Sequence, residues 1–155
     1  SPGLRVGWVC AAKEVIEKLV LLKQAADLHS STINQMAIHD VASRGFDQQV
    51  GKIREAYRRR RDHMLAQLDQ HMPDNVQWTK PEGGMFIWMT LPPHLDGAEL
   101  LARSLESQRV AFVPGQAFFA DGSNANTLRL NFSKPDEATI KEGIARLGQL
   151  LHQLC

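Results

Sequence analysis

The chain has 155 residues, 43% of them hydrophobic and 23% charged, which is enough for one sizeable core and sits in the ordinary globular range. With 18 basic against 17 acidic residues the formal charge is +1, so no field argues for nucleic acid or an anionic membrane, and small neutral or zwitterionic partners stay open. The only cysteines, Cys10 and Cys155, lie far apart with no histidine at metal-ligand spacing, which fits a reducing compartment, in plain terms the cytoplasm.

From the start, Ser1-Pro2-Gly3-Leu4-Arg5 has no initiator methionine, no basic n-region and no long apolar run, and it reads as mid-protein sequence. The longest apolar run, Leu19 to Leu22, is far too short to cross a bilayer. Leu4 to Ala11, with β-prone Val6, Trp8 and Val9 behind a Pro-Gly turn, is expected as a short strand entering a buried sheet. After Ala12, Val15, Ile16, Leu19, Leu22 and Ala26 recur at three- and four-residue spacing among charged residues, the pattern of an amphipathic helix. Ser30, Ser31 and Thr32 are N-cap candidates for a second helix through Ile33, Met36, Ala37 and Val41, with Gly45 placed as its stop.

Between about Asp47 and Met72 the apolar positions Val50, Ile53, Tyr57, Met64, Leu65 and Leu68 hold helical phase, and Pro73 ends the run. A helix of that length can bridge two domains. Beyond it, Val76 to Thr79, Met85 to Leu91, Val110 to Val113 and Leu128 to Phe132 are short β-prone runs, interrupted by a helix from about Gly97 to Gln108. The last helix carries Ile140, Ile144, Leu147, Leu151 and Leu154 on one stripe, and Ser133-Lys134-Pro135-Asp136 fits a capped start with proline in the first turn. The alternation predicts an α/β or α+β layer, helices packed on a small sheet, over residues 46–155. Residues 1–45 fit that layer poorly, so Gly45 is the boundary expected from sequence.

The six histidines never fall at i, i+4 on one helix face, which argues against a metal site. Arg58-Arg59-Arg60-Arg61 fans around more than a turn of helix beside Glu55 and Asp62, the pattern of a solvated, ion-paired face. In Leu128-Arg129-Leu130-Asn131-Phe132, alternation puts the three apolar residues on one face and Arg129 with Asn131 on the other. Such an arginine is often exposed or structural. On a rigid strand it can also grip a carboxylate with two parallel hydrogen bonds, as an enzyme that orients an amino acid requires. Arg5 presents the same choice between a surface residue and a phosphate contact. Gly83-Gly84 and Pro114-Gly115 read as tight turns, and no nucleophile elbow, Cys-His pair or carboxylate couple stands out.

Four segments together carry a resemblance: Ser-Pro-Gly-Leu-Arg-Val-Gly-Trp at 1–8, Pro-Glu-Gly-Gly-Met-Phe-Ile-Trp at 81–88, Val-Pro-Gly-Gln-Ala-Phe-Phe at 113–119 and Leu-Arg-Leu-Asn-Phe-Ser at 128–133. They resemble fold-type I pyridoxal-phosphate aminotransferases of class I/II, in the branch with the aminoadipate and kynurenine aminotransferases, and the aminotransferase-like domains fused to winged-helix regulators. The resemblance implies that this is a C-terminal piece. Residues 1–45 would be the tail of a large domain that binds pyridoxal 5′-phosphate, contributing a strand and helices, and 46–155 the C-terminal small domain with the long interdomain helix. It further implies that Arg5 contacts the cofactor phosphate, that Arg129 binds the substrate α-carboxylate and that Phe86 lies near the substrate mouth. The lysine that forms a Schiff base with the cofactor would lie upstream of Ser1, leaving no catalytic residue in the piece and making it inactive alone. The implied activity is transfer of an amino group between an amino acid and a 2-oxo acid by a homodimer. The effector domain of a GntR-type winged-helix regulator is the alternative, and a lyase or decarboxylase on the same cofactor a third reading.

Overall fold

A computed structural model describes residues 2–155 of the chain. Packing divides them into two compact units, one ending at Lys52 and the other spanning Ile53–Cys155.

The first unit opens with a 3-10 turn at Pro2–Leu4, followed by irregular backbone up to helix α1, Lys13–Ala26. The strand expected over Leu4 to Ala11 is absent. Val6, Trp8 and Val9 are β-prone, but a strand exists only through its ladder, and no described segment pairs with this one. Helix α1 forms where the periodicity placed it, yet none of its residues is buried, and Val15, Val20, Leu21 and Leu22 are exposed.

Helix α2, Thr32–His71, begins with the Ser31 hydroxyl accepting the Asn34 N–H at 3.4 Å. The expected stop at Gly45 is a kink: φ −164° and ψ 30° leave helical geometry at that residue, and the helix resumes beyond it. Its end at His71 precedes Pro73, whose ring cannot continue the backbone ladder.

The second unit contains α2 from Ile53 onward, strands β1 (Gln77–Trp78) and β2 (Phe86–Thr90), helix α3 (Gly97–Ser107), strands β3 (Val113–Pro114) and β4 (Thr127–Asn131), and helix α4 (Glu137–Leu154). The four strands form one antiparallel sheet in the order β1-β2-β4-β3. Alternation gives the sheet one dry face. Ile87 and Met89 on β2 and Leu128 and Leu130 on β4 point inward, against Met64 and Leu68 of α2, Leu100 of α3 and Ile140, Ile144, Leu147 and Leu151 of α4. Gly148 lets α4 approach α2 closely, since a Cβ there would lie 3.1 Å from that of His71.

The expected strand at Val110 to Val113 begins only at Val113, because Phe112 turns into the core and Val110 is held by α3 through its carbonyl, which accepts the Ser104 hydroxyl at 2.8 Å. Helix α4 starts at Glu137, two residues after Pro135, so the expected proline in its first turn is not found there. Asp136 is its N-cap, taking the Thr139 N–H at 2.8 Å, and Pro135 stands outside the helix.

Hydrogen bonds from Thr139, side chain first and backbone second, hold the Asp136 carboxyl below its ordinary value. A depressed folded-state value contributes stability above the unfolded pKa and loses it as pH falls through the folded one. The melting temperatures of wild type and Asp136→Asn should therefore converge as the pH is lowered from about 5 through the acid limb. A constant gap across that range would show that the cap does not sense the carboxylate charge.

Candidate functional site

The outward face of the sheet carries polar and aromatic groups in register. Trp88 on β2 stands directly opposite Arg129 on β4, Phe86 opposite Asn131, and Thr90 opposite Thr127, while Val113 of β3 flanks Arg129 on the other side. Arg129 thus sits on the central pair of strands, held by ladders on both sides. The structure agrees with the alternation in turning Arg129 away from the core, and it adds that the side chain is half-buried rather than solvated.

Its surroundings are aromatic. The guanidinium carbon lies 3.8 Å from the centroid of the Phe86 ring and 4.4 Å from that of Phe118. Trp88 meets Phe118 and Phe119 edge-on, with centroids 5.7 and 6.0 Å apart. Phe118 belongs to a 3-10 turn, Gly115–Phe118, that follows β3 directly and lies over this face. The close approach depends on Gly115, because a Cβ there would stand 2.8 Å from the Trp88 ring and closer still to the Thr127 hydroxyl.

The Arg129 side chain makes no hydrogen bond or ion pair among the described residues, and its Nε is buried without an acceptor. A buried donor left unmade costs about 1–3 kcal/mol. An arginine fixed by its strand, surrounded by rings and lacking an acceptor is chemically ready for an anion. A planar carboxylate, able to take two parallel N–H bonds, matches its fork.

Arg5 lies in the other unit and is exposed. Its backbone adopts φ 53°, the left-handed region that non-glycine residues seldom occupy. The carbonyl just before it, on Leu4, accepts the Asn34 side-chain N–H at 3.0 Å, so the turn is tied to the start of α2. A guanidinium presented on a pinned turn, with no acidic partner among the described residues, fits a phosphate dianion by charge and by donor geometry.

The arginine run on α2 is more structural than a solvated face. Arg58 pairs with Glu55 at 3.6 Å and Arg61 with Asp62 at 2.6 Å, as the neighbouring acids suggested. Arg60 and Arg61 also donate to backbone carbonyls, of Ser133 and of Pro81 respectively, and so tie the loop after β4 and the loop before β2, at one end of the sheet, to the helix. Among the described residues no three His, Cys, Asp or Glu side chains gather as a metal would need.

The sequence points to Arg129 and Phe86 and does not mark Trp88, Phe118, Phe119 or Gly115 as their neighbours. Pro114-Gly115 was sufficient as a turn, and what that turn covers depends on sheet register that no local pattern contains. The available signal was the paired phenylalanines closing the 113–119 segment.

The sequence model of the family described as "Aminotransferase class I and II" matches residues 1–147. The 2-aminoadipate transaminase of Thermus thermophilus is 46% identical over 99% of this chain and 38% of its own length. The aromatic-amino-acid aminotransferase 1 of Thermococcus litoralis is 44% identical, over 99% of this chain and 37% of its own. Among solved structures, LysN, an α-aminoadipate aminotransferase from Thermus thermophilus complexed with N-(5′-phosphopyridoxyl)-L-leucine, superposes with a TM-score of 0.84 at 46% identity, covering 99% of this chain and 39% of that one. The chain therefore spans less than two-fifths of the length of these relatives.

Proposed function

This chain belongs to the aminotransferase class I and II family, and from that premise we propose that the whole protein moves an amino group between an amino acid and a 2-oxo acid with pyridoxal 5′-phosphate as cofactor. The observation that carries this reading is Arg129, a half-buried guanidinium between Phe86 and Phe118 whose Nε has no acceptor. The substrates named for the relatives, 2-aminoadipate and aromatic amino acids, differ in side chain and share the α-carboxylate. Arg129 is suited to that shared part.

Arg5 would hold the cofactor phosphate. Bound pyridoxal phosphate supplies an electron sink for the pair left behind when the substrate's α-proton departs. Arg129, by gripping the carboxylate at two donors, limits rotation about the bond to Cα and so fixes the direction of the Cα–H bond, an orientation effect on the barrier. Phe86 borders the carboxylate seat and keeps water from the guanidinium, which strengthens the ion pair when it forms.

In the same reading, residues 1–45 are the tail of the larger cofactor-holding domain and 46–155 the small domain, and the assembly is a homodimer. No described helix is long and apolar enough to cross a membrane, and the free thiols of Cys10 and Cys155 are consistent with the cytoplasm.

The test uses the whole protein that carries this chain, supplied with pyridoxal phosphate, an amino acid and a 2-oxo acid. The expected result is conversion of each into the other's class, dependent on the cofactor. Amino-acid binding without turnover would overturn the proposal in favour of a regulator's effector domain, and release of carbon dioxide would point to a decarboxylase.

A further inference from the structure

We propose that Phe118 is a positioning residue for the substrate carboxylate: with Phe86 it fixes the Arg129 guanidinium by ring-face contact, which holds the cation while leaving its N–H donors for the substrate. This rests on the reading of Arg129 as the carboxylate-binding group.

A cation in a binding site needs something to hold it in place before the substrate arrives. The usual means is an acidic partner, which also neutralises the charge and occupies the donors. Arg129 has no such partner among the described residues. Its guanidinium carbon instead lies 3.8 and 4.4 Å from two phenyl centroids. A ring face attracts positive charge through its quadrupole and offers no lone pair in the plane of the fork. The two rings therefore restrain the group and exclude water without using up a hydrogen bond.

The rings differ in how they are held. Phe86 lies on β2, fixed by the ladder to β4. Phe118 is 48% exposed and comes from the short turn after β3, so its position depends on side-chain support. Two neighbours supply that support: Trp88, opposite Arg129 in register, meets the Phe118 ring edge-on at an interplanar angle of 73°, and Gly115 seats the turn against Trp88 and Thr127. Trp88 thus braces the ring that holds the cation beside it.

The experiment uses the whole enzyme with its cofactor. Phe118→Ala should raise KM for the amino acid and for its 2-oxo acid together by about tenfold, the loss expected for one partly desolvated cation–ring contact, with kcat changed much less. The dissociation constant of 4-methylpentanoate, a carboxylate with no amine to react, measured by calorimetry, should weaken by the same factor, while the cofactor's absorbance spectrum stays as in wild type. Phe118→Tyr, which keeps the ring face, should restore both values, and Phe118→Leu, which keeps apolar volume only, should not. Full rescue by leucine would mean that packing alone matters and would overturn the proposal. So would unchanged constants in Phe118→Ala. Arg129→Lys separates the two levels: if it weakens 4-methylpentanoate and Phe118→Ala does not, the positioning role alone fails, and if neither has an effect, the assignment of Arg129 fails with it. Should the alanine variant not fold, the comparison of tyrosine with leucine decides.

Discussion

Arg129→Lys in the whole enzyme should raise KM for the amino acid and the 2-oxo acid alike and lower kcat/KM about a hundredfold. The substitution keeps the positive charge, so attraction of the substrate carboxylate is preserved. What it removes is the fork. Two parallel N–H donors on a rigid plane become one ammonium on a flexible stem, and one charge-assisted hydrogen bond is worth about 1.5–3 kcal/mol, roughly ten- to a hundredfold in binding. Loss of orientation adds to that, because a carboxylate held at one point can rotate about the contact. The buried Nε without an acceptor works in the opposite direction, since its removal relieves the free enzyme of an unmade bond. Steady-state kinetics with both substrates reads the outcome, and an unchanged substrate dependence would remove Arg129 from the site.

The parts of this molecule legible in its sequence are those governed by periodicity. Strand β4 is the clearest case: an apolar residue at every second position put Leu128, Leu130 and Phe132 in the core and thereby placed Arg129 on the opposite face. Helices α1 and α4 share the other period, yet only α4 is buried within this chain. Periodicity announces an apolar stripe and is silent on what covers it. Leu4 to Ala11 failed as a strand for the complementary reason, because β-propensity describes fitness for a sheet and a ladder needs a neighbour.

The aromatic cluster around Arg129 was out of reach for a third reason. Phe86, Trp88 and Phe118 meet because antiparallel register pairs β2 with β4 and because a turn after β3 folds back over that pair. Neither relation has a local signature. The arginines at 60 and 61 follow the same rule: sequence shows the acids nearby, and Arg61 does pair with Asp62, but not the carbonyls of Ser133 and Pro81, which come from distant loops. Likeness to a known family supplied Arg129 and Phe86 as site residues, and the register explains why they are neighbours.

Gly115→Ala should destabilise the protein by about 3 kcal/mol and weaken substrate binding with it, joining the packing of the sheet to the function of the site. This glycine is required for space, since its φ does not lie in the left-handed region. The added Cβ would come within 2.8 Å of both the Trp88 ring and the Thr127 Cβ, with the Thr127 hydroxyl nearer still. Neither neighbour can easily yield. Thr127 is β-branched, buried in β4 and committed through its hydroxyl, which donates to the Asn124 carbonyl at 2.7 Å. Trp88 is held by the β2 ladder and by the edges of Phe118 and Phe119. The turn itself must therefore lift, carrying Phe118 away from the guanidinium. Thermal unfolding measures the first consequence and KM for the amino acid the second. Gly143→Ala is the internal control: it lies in α4 with nothing within 4 Å of the new Cβ, so better helix propensity should stabilise it by about 0.5–1 kcal/mol and leave KM alone. A Gly115→Ala variant as stable as wild type, with unaltered KM, would show that the turn can move without disturbing Arg129 and that the ring over the cation is not positioned by this packing.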